Sequence, residues 1–115
     1  MVTGDELRNT ALALPEAEER ETWGQATFRV RGKIYVILAD DGTQASIKAS
    51  REEQAALLAS EPEVFSPASH VGRFGWVSAR LDAADPEALR ELVVDAWRST
   101  APRRLVAEFD AATPG

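Results

Sequence analysis

The sequence predicts an α+β fold in the order α-β(3)-α-β(2)-α, an antiparallel sheet with helices packed on one face. Residues 26–48 contain three runs of alternating residue type, separated by turn signals at Gly32 and at Asp41-Gly42. Segments of helical periodicity precede and follow them. With 115 residues, 44% hydrophobic and 28% charged, the chain has the size and composition of one globular domain. We expect a single domain over residues 1–115 with an ordered core of about 3–111.

The first helix is predicted over Asp5–Leu14, where Leu7, Ala11 and Leu14 recur at helical spacing. Thr3 and Glu6 have the spacing of a capping box, and Pro15 ends the helix. The next segment, Glu16–Glu21, is predicted to be a solvated acidic connector. It leads to Trp23, which we assign to the core together with Trp97.

The three strands that follow carry opposite residue types on their two faces. In the first strand Phe28 and Val30 oppose the set Thr27, Arg29 and Arg31. In the second strand Ile34, Val36 and Leu38 oppose Tyr35 and Ile37, and in the third strand Ala45 and Ile47 oppose Gln44, Ser46 and Lys48.

The second half predicts a helix, two strands and a helix. A capping box at Ser50 and Glu53 opens a short helix with Ala56, Leu57 and Ala59 on its apolar side, and Pro62 closes it. A short strand at Val64–Ser66, a glycine-rich loop at His70–Gly75 and an alternating strand at Trp76–Leu81 follow. Asp85 and Pro86 open the most regular helix, whose stripe is Leu89, Leu92, Val93, Ala96 and Trp97. A last short helix is predicted over Arg103–Ala111, and the tail Thr113–Gly115 is expected to be loose.

The composition excludes several kinds of chemistry. There is no cysteine, and no phosphate-binding loop, zinc-protease or serine-hydrolase motif. The one histidine, His70, is expected to make a loop hydrogen bond or to contact solvent. We therefore expect no enzyme activity, no metal and no cofactor. The first residues do not resemble a signal peptide, and no apolar run approaches the ~20 residues that span a bilayer, so a cytoplasmic protein without membrane contact is expected.

Charge is unevenly distributed along the chain. The net charge is −6, yet residues 22–51 carry three excess positive charges and residues 66–81 carry two. If the alternation holds, several basic residues and Trp76 share the sheet face that the helices leave open. Such a face suits phosphate contact and base stacking, although exposed antiparallel faces are polar in any case. The candidate nucleic-acid-binding residues are Arg29, Arg31, Lys33, Lys48, Arg73, Trp76 and Arg80.

Several ordered motifs resemble the MmcQ/YjbR family. They are the segments Trp23–Val30, Gly32–Tyr35, Ser46–Lys48, Phe65–Ala68 and Gly75–Val77. The likeness extends from Leu7 to about Trp97, with one departure at Ala26, where the family usually has proline. The resemblance implies a secretion-chaperone-like α-β(3)-α-β(2)-α fold, also described as a double wing. It further implies a DNA-binding role and assigns no catalytic residues.

Three functional hypotheses follow. The first is a non-enzymatic DNA-binding protein that contacts phosphates through the basic sheet face. The second is a protein-interaction module that pairs with itself or another chain through the sheet face or an edge strand. The third is a small-molecule binder with a pocket between the sheet and the Gly72–Gly75 loop. A contiguous positive face would favour the first hypothesis, and acidic residues of the connector folded over that face would favour the second.

Overall fold

The computed structural model describes residues 1–69 and 71–112. The predictions for His70 and for Thr113–Gly115 therefore lie outside the described residues. Within the described part the chain forms four helices and six strands: α1 Gly4–Leu12, β1 Ala17–Thr22, β2 Gln25–Val30, β3 Lys33–Leu38, β4 Gln44–Ile47, α2 Arg51–Ser60, β5 Phe65–Pro67, β6 Val77–Arg80, α3 Pro86–Arg98 and α4 Arg103–Ala112.

The strands form one antiparallel sheet in the order β1-β2-β3-β4-β6-β5. Helices α1 and α3 pack against each other and against one face of this sheet. The side chains between them form the core, with Phe28, Ile47 and Trp97 completely buried. The predicted α+β class is confirmed, and the opposite sheet face is open.

Local helix signals predicted the helix starts correctly. Thr3 and Glu6 form a reciprocal capping box at α1, and Ser50 and Glu53 form another at α2. Asp85 accepts a hydrogen bond from the N–H of Ala88 at the start of α3. The apolar side predicted for α2 is weaker than expected, because Ala56 and Ala59 are exposed and Leu57 is half-buried.

The prediction of an acidic connector at Glu16–Glu21 was wrong, because all of these residues except Glu16 belong to the edge strand β1. All six residues of β1 pair with β2, so four strands rather than three precede α2. Only the two end residues, Ala17 and Thr22, are half-buried, and the rest are exposed. An edge strand that is exposed on both faces lacks the apolar alternation by which strands are recognised. Its charges also discourage pairing with other chains.

Strand β3 departs from the predicted alternation through a bulge. The register places Phe28 opposite Val36 but Arg29 opposite Ile34, so Tyr35 is an extra residue in β3. Tyr35 is completely buried. Ile34 shares its face with Arg29, and Ile37 shares the same face with Thr27, where the strict alternation had placed Ile34 with Val36 and Leu38.

The Tyr35 side chain fills a gap in backbone hydrogen bonding. Its hydroxyl donates to the carbonyl of Ala11 at 2.7 Å. The residue four positions after Ala11 is Pro15, which has no N–H to offer that carbonyl. The indole Nε1 of Trp97 donates to the carbonyl of Pro15 at 3.1 Å, so the end of α1 is held by two buried aromatic residues.

The two tryptophans assigned to the core have different positions. Trp97 is completely buried, as predicted, whereas Trp23 is 97% exposed. The prediction for Trp23 was wrong because the missed strand β1 turns the segment before Gln25 into a hairpin that projects away from the core.

Candidate functional site

A groove of about 540 Å³ lies on the open face of the sheet. Its floor comes from β2, β3, β4 and β6, and its walls come from the β1–β2 turn and from the loop after β5. Not one of the described residues that line it is charged. They are Thr22, Trp23, Gln25, Thr27, Ile34, Ile37, Ala39, Gln44, Ser46, Ser69, Val71 and Ser78.

The floor of the groove mixes hydroxyl groups with aliphatic side chains. The strand register aligns Thr27, Ile37, Ser46 and Ser78 in one row across four strands. Ser78 donates to the side-chain oxygen of Gln44 at 3.1 Å. The bulge at Tyr35 brings Ile34 to the face that Ile37 already occupies. The groove therefore offers apolar surface together with neutral hydrogen-bonding groups.

Arg29 lies at the edge of the groove and is held by neutral acceptors. Its Nε donates to Thr27 Oγ1 at 3.2 Å, and Nη2 donates to Thr22 Oγ1 at 3.1 Å. Its Nη1 lies 3.4 Å from the carbonyl oxygen of Gly32. Arg29 forms no ion pair with the described residues. Glu18, which lies directly opposite Arg29 in β1, pairs instead with Arg20 at 3.3 Å.

Trp23 occupies a strained position at the rim of the groove. Trp23 and Gly24 connect β1 to β2 and have φ values of 51° and 80°, the positive values that a type I′ turn requires. Glycine and asparagine accept this conformation, whereas an L-residue with a bulky side chain pays about 1–2 kcal/mol for it. Because the indole is 97% exposed, packing within the chain does not offset this cost.

Lys48 does not lie on the open face, contrary to the prediction. Its Nζ donates to Thr100 Oγ1 at 3.1 Å and approaches the carbonyl oxygen of Ser99 at 3.4 Å, so it caps the C-terminus of α3 on the helix side. A cation is favourable there because helix C-termini carry partial negative charge. Burial, with a smaller contribution from the charge of Lys33, lowers the pKa of Lys48.

Two predicted residues lie at or next to the β2–β3 turn. Arg31 has a positive φ of 52° and forms a two-bonded ion pair with Glu16, in which Nη2 lies 3.1 Å from Oε2. This hydrogen bond lowers the pKa of Glu16 and raises that of Arg31. Lys33 is exposed at the start of β3.

The remaining predicted residues are scattered. Arg73 is exposed and its guanidinium lies 4.8 Å from the ring centre of Phe74. Trp76 is half-buried and does not line the groove. Arg80 lies on the open face at the end of β6, where Nη2 is 3.5 Å from the carboxylate of Asp82. Of the seven predicted residues the structure brings Arg29 and Arg80 to the open sheet face, and it places Lys48 on the other side.

The alternation correctly placed Thr27 and Ser78 on the open face, but it missed Ile34, which the bulge in β3 moves to that face. The rim residue Trp23 was assigned to the core. The available signal was the Trp23-Gly24 pair, which identifies a turn once the preceding acidic residues are taken as a strand.

Other chemistry has little support in the part of the chain that the structure describes. No three or more described acidic, histidine or cysteine side chains are arranged to hold a metal ion. No helix among the described residues has the length and apolar character needed to cross a membrane.

The fold and the groove define an α+β domain whose antiparallel sheet has helices on one face and the groove on the other. The family model described as YjbR matches residues 12–99, and the chain belongs to the YjbR family. The crystal structure of the Deinococcus radiodurans protein DR2400, described with a DUF419 domain, is similar with a TM-score of 0.77 and 25% sequence identity. The match covers 84% of this chain and 77% of that one. No curated protein matches the chain significantly.

Proposed function

We propose that this protein is a non-enzymatic interaction module that binds protein through the groove on its open sheet face. The observation that carries the proposal is the absence of charge among the described residues that line the groove, in a chain with 28% charged residues. Protein interfaces share this feature: their centres are depleted of charged residues, and their rims are polar. Here Glu18, Arg20, Arg29 and Arg80 supply the charged rim.

The arrangement of the acidic residues also supports this proposal. Strand β1 places Glu18 next to Arg29 in the sheet, and Glu16 pairs with Arg31. The positive segment of the sequence therefore lies beside the acidic one. A phosphate backbone would meet both signs of charge on this face, which weakens the electrostatic term that dominates binding to nucleic acid.

The face is a better candidate than an edge strand. Strand β1 carries charged side chains over most of its length, and β5 has three residues and ends in Pro67. Both features discourage the addition of a further strand.

DNA binding is the second candidate, and Arg29 favours it. Its guanidinium makes hydrogen bonds only to neutral groups among the described residues. In this hypothesis Arg29 and Arg80, the two predicted residues on the open face, contact phosphates. Affinity would then fall steeply with salt concentration.

A peptide selection tests the first candidate. Peptides selected from a random library on the wild-type protein should fail to bind Ser46→Arg, which places a charge on the groove floor. Ser60→Arg, on the exposed end of α2, is the matched control and should bind them normally. Equal binding to both variants would refute the groove as the site.

An anisotropy titration with single-stranded and duplex oligonucleotides at low salt tests the second candidate. We expect no binding at tens of micromolar protein. Binding that weakens with salt and is lost in Arg29→Gln would replace protein binding with DNA binding as the function of this face.

A further inference from the structure

We infer that the groove binds a second copy of this chain, with Trp23 of each copy inserted into the groove of the other. This inference rests on the proposed function and specifies its partner. It follows from three features of one surface, which are the exposed indole, the uncharged groove and the position of both on the same sheet face.

The indole of Trp23 is almost completely without burial in its own chain. It is 97% exposed and occupies a left-handed backbone position that asparagine or glycine would fill without strain. Backbone strain that folding does not require is typical of functional positions. Exposed tryptophans that become buried on association are among the residues that contribute most to protein interfaces.

The groove provides a suitable receptor. Ile34 and Ile37 are both half-buried and contribute apolar surface to its floor. Gln25 and Gln44, which are exposed at the same surface, can hydrogen-bond an indole N–H. The groove volume of about 540 Å³ is within the range of roughly 300–1,000 Å³ typical of ligand sites.

The absence of charge favours a second copy over an unrelated protein. In a two-fold interface each surface meets an identical surface, so a charged group near the axis lies close to the same charged group of the other copy. Each copy carries a net charge of −6, so an uncharged contact surface avoids adding like-charge repulsion at the centre of the pair. The described lining of the groove meets this condition.

The relative position of anchor and receptor also fits two-fold pairing. Trp23 lies on the rim of the groove, so both belong to the surface that a face-to-face pair would share. In a pair related by a rotation of 180°, each indole would meet the groove of the other copy, and the pair would be closed.

The expected dimer is weak. Two buried tryptophans supply about 300–500 Å² of contact, whereas a stable interface buries at least about 1,200 Å² in total. The groove floor and the rim must supply the remainder. We expect a reversible dimer with a dissociation constant in the micromolar range.

Sedimentation velocity over a concentration range of about 1–500 µM tests the inference. The wild-type chain should change from monomer to dimer, and Trp23→Asn should raise the dissociation constant at least about tenfold. Ser46→Arg should have a similar effect, while Ser60→Arg and Phe74→Ser should leave the dimer intact. Phe74 is 58% exposed and controls for the loss of any exposed aromatic residue.

Acrylamide quenching of tryptophan fluorescence gives a second readout. Quenching of the wild-type chain should decrease as its concentration rises, because Trp23 becomes buried, and quenching of Trp23→Asn should stay constant. A wild-type chain that remains monomeric over the whole range would overturn the inference, as would a dimer that persists in both Trp23→Asn and Ser46→Arg.

The peptide selection separates this inference from the proposed function. If the protein is monomeric and the selected peptides fail to bind Ser46→Arg, the groove binds protein but its partner is not a second copy. If the protein is monomeric and the peptides bind Ser46→Arg as well as wild type, both the dimer inference and the proposed function of the groove are refuted.

Discussion

Replacing Trp23 by asparagine should stabilise the isolated chain. The position has a φ of 51°, and Gly24 after it has a φ of 80°. Asparagine is a preferred residue at the first central position of a type I′ turn. The substitution should therefore recover most of the roughly 1–2 kcal/mol that a left-handed L-residue costs. The indole is 97% exposed, so removing it sacrifices almost no burial.

We expect a gain of about 1 kcal/mol in the free energy of unfolding. For a domain of this size that corresponds to a rise in Tm of roughly 4 °C. Equilibrium urea unfolding at a concentration below about 1 µM, where the chain is expected to be monomeric, measures it. Gly24→Ala is the matched control: an added Cβ would have no neighbour within 4 Å, so strain at φ +80° alone should destabilise the chain by about 1 kcal/mol.

The difference between the wild-type chain and Trp23→Asn should depend on protein concentration. Association stabilises only the form that dimerises, so the wild-type Tm should rise with concentration and approach that of the variant. A Trp23→Asn variant that is less stable than wild type at low concentration would refute the strain argument, because the indole would then contribute to folding.

Three further predictions concern other contacts. Tyr35→Phe should lower the free energy of unfolding by about 1–3 kcal/mol in a urea titration, since a buried carbonyl loses its donor. Because burial raises the pKa of Tyr35 to about 12, the stability of the wild-type chain should fall as the pH rises from 10 to 12. An unchanged stability over that range would contradict the raised pKa. Gly75→Ala should destabilise the chain by about 2 kcal/mol or more, because its Cβ would lie 2.6 Å from the Ala49 carbonyl oxygen at a φ of 104°; a smaller loss would mean that the loop yields. In an NMR titration the pKa of Glu16 should lie below 4.5 and should rise in Arg31→Gln. The stabilisation that the ion pair gives at neutral pH should disappear as the pH falls through that lowered pKa. If the pKa of Glu16 is unchanged in Arg31→Gln, the ion pair is not the cause of the lowering.

The features that sequence predicted correctly depend on contacts within a few residues. The capping boxes of α1 and α2 need only a hydroxyl residue and a glutamate three positions later. The stripe of α3 buries Leu89, Val93 and Trp97, as periodicity predicts. These signals require no knowledge of which strand lies next to which.

The features that sequence missed depend on contacts between distant segments. The bulge at Tyr35 places its hydroxyl on a carbonyl 24 residues away, and it moves Ile34 to the open face. Lys48 has the residue parity of the open face but lies beyond the end of β4 and reaches the C-terminus of α3. The alternation of residue types describes a regular strand. It contains no information about the Ala11 carbonyl that Tyr35 contacts or about the helix C-terminus that Lys48 contacts.

The missed edge strand also changes the interpretation of the charge pattern. Along the sequence, the acidic residues from Glu16 and the basic residues from Arg29 form separate blocks, which suggested a positive sheet face. In the sheet these blocks become neighbouring strands, because a two-residue turn folds β1 back on β2. Glu18 lies opposite Arg29, and Glu16 neutralises Arg31. Charge separation along a chain therefore predicts a charged surface only when the connecting turn does not bring the two blocks together. Here the same turn mixes the charges at the rim and projects Trp23 beside an uncharged groove, which is why self-association is the stronger hypothesis for this face.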